Sequence, residues 1–85
     1  MLWFKTIMAK KKYHNLHVNL CFFDFEGGFW GMIDDEGNNW LPVNLSEYWV
    51  SQGNIKVIVS FTIDENMVTL VNWGKPVVIT DIKNA

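Results

Sequence analysis

The stretch Asp24 to Pro42, DFEGGFWGMIDDEGNNWLP, collects glycines, carboxylates, amides and tryptophans densely enough to suggest a calcium loop, a phosphate loop or the corner of a small barrel. DDEGNN resembles the middle of an EF-hand, which requires a glycine at its sixth position and carboxylates at its first and twelfth. With Gly37 taken as the sixth position, the outer two fall on Met32 and Val43, so the calcium pattern fails. Gly27, Gly28 and Gly31 invite a phosphate loop. Neither a Gly-Lys-Ser/Thr ending nor a G-x-G-x-x-G run opening a helix is present, and strand rather than helix follows the glycines.

The other reactive side chains do not assemble into a site. His14 and His17 are the only histidines, and Cys21 alone completes no ligand set with them. Cys21 lies among Leu20, Phe22 and Phe23 with nothing beside it to lower its pKa, which predicts a buried structural thiol. Asp34, Asp35, Glu36, Asp64 and Glu65 fall mostly in turns, where solvated carboxylates are the default. Without a nucleophile, base and orienting group, the expectation is a non-enzymatic protein with no catalytic residues, no cofactor and no metal.

An 85-residue chain supports one core. With 49% hydrophobic and 15% aromatic residues it is a folded domain rather than a disordered segment. A net charge of -2 and a pI near 5.5 give no broad basic field for nucleic-acid phosphates. No window reaches the roughly 20 apolar residues of a spanning helix. The opening MLWFKTI precedes Lys10, Lys11 and Lys12, the reverse of a secretory signal's order. Absence of a signal peptide and of a disulfide pair predicts a cytoplasmic location. Met8 offers an alternative start, and Leu2, Trp3, Phe4 and Ile7 offer a peripheral membrane foothold beside the lysines.

The pattern of the chain is that of short strands. Residues 1 to 14 read as a loosely ordered arm before a single domain, 15 to 85. From Leu16, apolar Leu16, Val18, Leu20 and Phe22 alternate with His17, Asn19 and Cys21. The Phe22-Phe23 doublet, with Phe25 in the phase of Phe23, suggests a β-bulge. A second strand, Phe29 to Asp34, leads into Asp34-Asp35-Glu36-Gly37, which fits a type I turn followed by a left-handed glycine, the three-residue hairpin. A third strand runs from Asn39 to Asn44, with Pro42 restricting its position. LSEYWVSQG gives one or two turns of helix with Ser46 or Asn44 as N-cap and Gly53 as stop. Ile55 to Ile63, Met67 to Trp73 and Val77 to Lys83 complete the strands. This order predicts an all-β fold, a five- to six-stranded OB-like Greek-key barrel with one short helix between strands 3 and 4.

The three-residue hairpin pairs Asp34 with Asn38, Ile33 with Asn39, Met32 with Trp40 and Phe29 with Val43. Turning Phe29, Ile33, Leu41 and Val43 inward leaves Trp30, Met32 and Trp40 on the outer face of strands 2 and 3, where OB-folds bind ligands, whereas a four-residue loop would shift the register by one and put Trp30 and Met32 inside with Leu41 and Val43. The other reading has Trp30 and Trp40 sealing the barrel from outside beneath the arm. Trp49 and Trp73 are expected to plug the barrel ends, and Tyr48 faces either side.

GGFWGMIDDEGNNWLPVNL (27 to 45) and NWGKPVVITDI (72 to 82) resemble a family of small uncharacterised archaeal and bacterial OB-fold-like proteins. Those proteins carry GGF-aromatic-G-I-x-DD-G, P-hydrophobic-N-L and WG-x-P-V-x-I segments. The resemblance spans Val18 to Lys83 and implies an OB-like barrel, with no assigned activity and no catalytic residues to carry over. The chain departs from the pattern in its arm and in a helix bearing Tyr48 and Trp49.

These readings converge on a binding module, with a protein partner met through Trp30, Met32, Trp40 and Tyr48. The alternatives are single-stranded nucleic acid stacked on strands 2 and 3, which the net charge disfavours, and a small molecule or sugar at the barrel mouth.

Overall fold

A computed structural model of the chain describes residues 11–63, 67–69 and 71–85. The expectations for residues 1–10, including the Met8 start and the membrane foothold, and for the turn at 64–66 lie outside these residues. Five strands and one helix follow in the order β1 (Lys11–Phe23), β2 (Phe29–Asp34), β3 (Asn39–Pro42), α1 (Glu47–Gln52), β4 (Ile55–Ile63) and β5 (Lys75–Asn84). The strands close into a barrel in the spatial order β1-β2-β3-β5-β4, with β4 paired back to β1. All neighbours are antiparallel except β3 and β5, which are parallel. The fold is the predicted small all-β, OB-like barrel with its helix between strands 3 and 4.

Alternation sets the core. Val18 and Leu20 from β1, Met32 from β2, Trp40 from β3, and Val57, Val59, Phe61 and Ile63 from β4 pack with Val77 of β5. Buried aliphatic and aromatic side chains of this kind each contribute about 1.5–3 kcal/mol.

Three sequence expectations are corrected. First, the strand begins at Lys11, so Lys11 to His14 belong to the barrel and not to the arm. Second, β1 and β2 pair without interruption from Val18 to Phe23, so no bulge lies at Phe22-Phe23. The extra residue sits instead between Tyr13 and Leu16, where Asn15 has φ 52°. Its freed N–H donates to Ser60 Oγ at 3.0 Å. A second irregularity falls at the same point of β4, where Thr80 of β5 is the unpaired residue and its Oγ1 donates to the Ser60 carbonyl at 3.2 Å. Both bends flank Ser60, as expected of bulges that curve strands into a small barrel. Third, 67–69 and 71–73 form no strand. The cylinder is already closed and offers them no free edge.

Short devices fix the remaining turns. Gly37, with φ 84°, donates its N–H to the Asp34 carbonyl at 3.0 Å, and Asp34 N–H donates to the Asn38 carbonyl at 3.1 Å. That is the predicted hairpin, in a conformation that favours glycine. Pro42 ends β3 opposite Val77, and the next amide, Val43 N–H, donates to the Val77 carbonyl at 3.1 Å. The Asn44 side chain then stands in for a strand residue. Its Nδ2 donates to the Ile79 carbonyl at 2.9 Å, and the Ile79 N–H donates to its Oδ1 at 2.8 Å. Ser46 occupies the N-cap position of α1 and Gly53 its C-cap. Among the described residues no helix is long and apolar enough to cross a membrane.

Candidate functional site

The hairpin register is as predicted, with Met32 opposite Trp40 and Ile33 opposite Asn39. The facing is inverted. Met32 is fully buried and Trp40 is 5% exposed, both in the core. Trp30 shares their side, packs against the core and lies 5.4 Å from the Phe22 ring at one end of the barrel. Phe29 and Ile33 are therefore outward and only half-buried and Val43 is exposed, while Leu41, of the same predicted inward set, is buried at 6% exposure. The reason is the partner strand: β1 pairs Leu20 with Met32 and Phe22 with Trp30, so the inward face of β1 imposes its own phase on β2. Met32 and Trp40 thus form no outer binding face, and Trp30 and Trp40 do not seal the barrel from outside. Tyr48 is exposed, edge-on to Trp49 at 4.9 Å, and Trp49 packs against the core.

The inversion also carries Asp34 inward, where it is buried and not solvated like an ordinary turn acid. Its Oδ1 accepts from the N–H groups of Glu36 and Asn38, each at 2.9 Å. Its Oδ2 accepts from Asn38 Nδ2 and from the Trp40 indole Nε1, each at 3.0 Å. Burial pushes the carboxyl pKa up, but donation by Trp40, Asn38 and Glu36 outweighs it and holds the group below its ordinary value. A depressed folded-state pKa contributes stability that is complete above the unfolded value of about 3.9 and is lost as pH falls through the folded value. Asp34→Asn is therefore expected to be less stable at neutral pH and to lose less stability between about pH 5 and pH 2. Denaturant midpoints measured across that range check it. Equal acid slopes for both proteins would contradict the assignment.

Outside β2 lies a separate aromatic cluster. A Cβ built on Gly31 would stand 2.4 Å from Trp73 Cζ3 and 3.1 Å from Phe23 Cε2, so only glycine admits the indole here. Trp73 is not the barrel-end plug expected from sequence. Its ring lies 4.9 Å from Phe23 and 5.4 Å from Phe29, and Phe25 closes edge-on to Phe29 at 5.1 Å. The β4–β5 connection thus lays Trp73 across the outer face of β2. The Phe22-Phe23 doublet is explained as well: at this end both faces of β1 carry an aromatic ring, Phe22 against Trp30 and Phe23 against Trp73.

Beside this cluster opens an apolar groove of about 330 Å³. Phe29, Trp30, Leu41, Val43, Leu45 and Val50 line it, together with Pro42, Thr69 and Val71. Val43 is 41% exposed and Val50 36%. Phe22, 46% exposed, flanks it through Trp30, and Phe25, 49% exposed, through Phe29. Acids stand around it in the chain: Asp24 and Glu26 bracket Phe25, and Glu47 opens α1 three residues before Val50. No Lys or Arg occurs between Lys12 and Lys56. Of the groove residues, sequence reasoning selected only Trp30. The aromatic doublet and the glycine at 31 mark the adjoining Phe23–Trp73 cluster rather than the groove lining.

The candidate reactive groups stay apart. His14 and His17 are exposed on β1, and Cys21 is half-buried with its Sγ directed to the Asn19 carbonyl at 3.8 Å. Among the described residues no group of three or more His, Cys, Asp or Glu is placed to hold a metal ion. Comparison of the chain with protein-family models, with curated proteins and with solved structures finds no match.

Proposed function

We propose that the barrel is a non-catalytic binding module that receives an apolar, basic-flanked segment of a protein partner in the groove between β2, β3 and α1. The observation that carries this reading is convergence. Of the exposed large hydrophobic side chains among the described residues (Phe22, Phe25, Val43, Tyr48, Val50 and Val68), Val43 and Val50 line this one groove and Phe22 and Phe25 pack on its lining residues Trp30 and Phe29. Scattered exposed apolar residues are ordinary, whereas a contiguous set around a concavity marks an interaction site. Phosphate recognition is less well supported. The segments forming the groove bring acids and no basic residue, and the aromatic rings nearby are packed on one another rather than presented as open stacking platforms.

A displayed random-peptide library tests the reading. The wild type is expected to enrich peptides with a large apolar anchor next to Lys or Arg. Val43→Lys puts a cation on the rim of the groove and is expected to weaken those peptides by at least about tenfold, the scale of losing one anchor contact. Its stability should change by only about 0.5 kcal/mol, as for most surface positions. No enrichment by the wild type, or equal enrichment by Val43→Lys, would reject the site.

A further inference from the structure

Where one strand of the barrel outruns its neighbour, it leaves backbone N–H and C=O groups that need another partner. β1 pairs with β4 only as far as Leu20 opposite Ile55, and beyond that point Asn54 Oδ1 accepts from the Phe22 N–H at 2.9 Å. β5 pairs with β3 only as far as Val77 opposite Pro42, and there the Asn44 side chain serves both the N–H and the C=O of Ile79. β2 pairs with β3 only at Ile33 and Met32, although it stays paired with β1 as far as Phe29. No asparagine covers this edge, and among the described residues no turn or side-chain hydrogen bond reaches the backbone of Trp30.

The hairpin fixes the direction of those Trp30 groups. Asp34 N–H donates across to the Asn38 carbonyl, and alternate residues of a strand turn their N–H and C=O to the same side, so Met32 and Trp30 also face β3. Carried one step further, the register of Met32 with Trp40 sets Pro42 opposite Trp30. Proline has no N–H to give, and the next amide, Val43, is committed to the Val77 carbonyl at 3.1 Å. At this residue β3 leaves β2 for β5, and the two strands fork. The apolar groove is that fork, with Phe29 and Trp30 on one wall and Leu41, Pro42 and Val43 on the other.

We infer that the partner's segment enters the fork as an extended strand, hydrogen-bonded to the N–H and C=O of Trp30 on the edge that Pro42 cannot serve. This rests on the groove reading above and names the conformation and backbone contact of the occupant. Strand addition of this kind draws affinity from main-chain bonds and selectivity from alternate side chains. Successive side chains of a strand point to opposite faces. One apolar anchor therefore faces Val43 and Val50, while its neighbours turn away and carry Lys or Arg toward Asp24, Glu26 and Glu47. A helical segment keeps its own N–H and C=O groups bonded internally and leaves those of Trp30 without a partner.

Amide hydrogen exchange, followed by NMR on the full chain with and without the tightest peptide from the displayed library, tests the inference. In the free protein the Trp30 amide is expected to exchange at least about tenfold faster than that of Met32, which is already paired with Trp40. Saturating peptide should slow Trp30 by at least about tenfold and leave Met32 unchanged. N-methylation of the peptide, one residue at a time, should weaken binding by at least about tenfold at the position that donates to the Trp30 carbonyl. The positions on either side should tolerate it, because their amides point away from β2. A Trp30 amide as slow as Met32 in the free protein, a Trp30 amide that the peptide leaves unchanged, or N-methylation that weakens no position or every position alike would overturn the strand. Val43→Lys separates the two levels of failure. A peptide that this variant weakens while Trp30 stays unprotected means that the groove is right and the strand wrong; a library from which the wild type enriches nothing rejects both.

Discussion

Trp40→Ala is expected to destabilise the barrel by about 3–5 kcal/mol, the range for truncating a buried aromatic. The indole lies in the core, with ring centroids 5.1 Å from Tyr13 and 5.0 Å from Phe61, so its removal opens a cavity between β1, β3 and β4. It also removes the donor to Asp34 Oδ2, leaving a buried carboxylate with one partner fewer. A chain of this length has a total stability of roughly 4–13 kcal/mol, so the variant sits near the edge of folding. The melting temperature should fall by about 15 °C or more. Trp40→Phe separates the two contributions. It keeps most of the ring and loses the N–H, which should cost about 1–3 kcal/mol, the penalty for an unsatisfied buried group. Circular dichroism follows both variants without relying on the lost fluorophore. A Trp40→Ala protein that melts within a few degrees of wild type would mean that the indole is not interior.

The second large effect lies at Gly31. Glycine in a strand is ordinarily a weak choice, and alanine would be favoured by about 0.5–1 kcal/mol. Here the sign reverses. An added methyl meets the Trp73 ring at 2.4 and 2.5 Å and Phe23 at 3.1 Å, so the indole must move off β2. Overpacking of this kind costs about 1–3 kcal/mol, and Gly31→Val, with a branched side chain, should exceed Gly31→Ala. The test is a double-mutant cycle. In a Trp73→Ala background the clash has no partner, and Gly31→Ala should become neutral or stabilising by about 0.5 kcal/mol. If Gly31→Ala is equally destabilising in both backgrounds, Trp73 is not what demands the glycine.

The hairpin was legible because its information is local. Asp34 and Gly37 specify the turn, the turn specifies the register, and Met32 opposite Trp40 follows. Ile55 to Ile63 was legible for a similar reason, since one face is apolar along its whole length. The helix ends were marked by Ser46 and Gly53. What the hairpin does not contain is its own orientation. Both faces of β2 and β3 are apolar: Phe29, Ile33, Leu41 and Val43 on one, Trp30, Met32 and Trp40 on the other. Asp34 belongs to the second face, and the donors Trp40, Asn38 and Glu36 are what make its burial affordable.

By itself, then, the sequence determined the strand order, the position of the helix, the hairpin register and the barrel class, all of which depend on periodicity and on turn residues a few positions apart. Tertiary structure alone decided which face of β2 is the interior, because that depends on pairing Met32 with Leu20 twelve residues earlier. It also decided that 67–69 and 71–74 are connection rather than strand, since barrel closure leaves them no edge, and that Trp73 lies across Gly31, more than forty residues away in the chain. The groove exists for the same reason. Its walls come from β2, β3, α1 and the β4–β5 connection, and side chains so far apart in sequence become one surface only when the barrel closes.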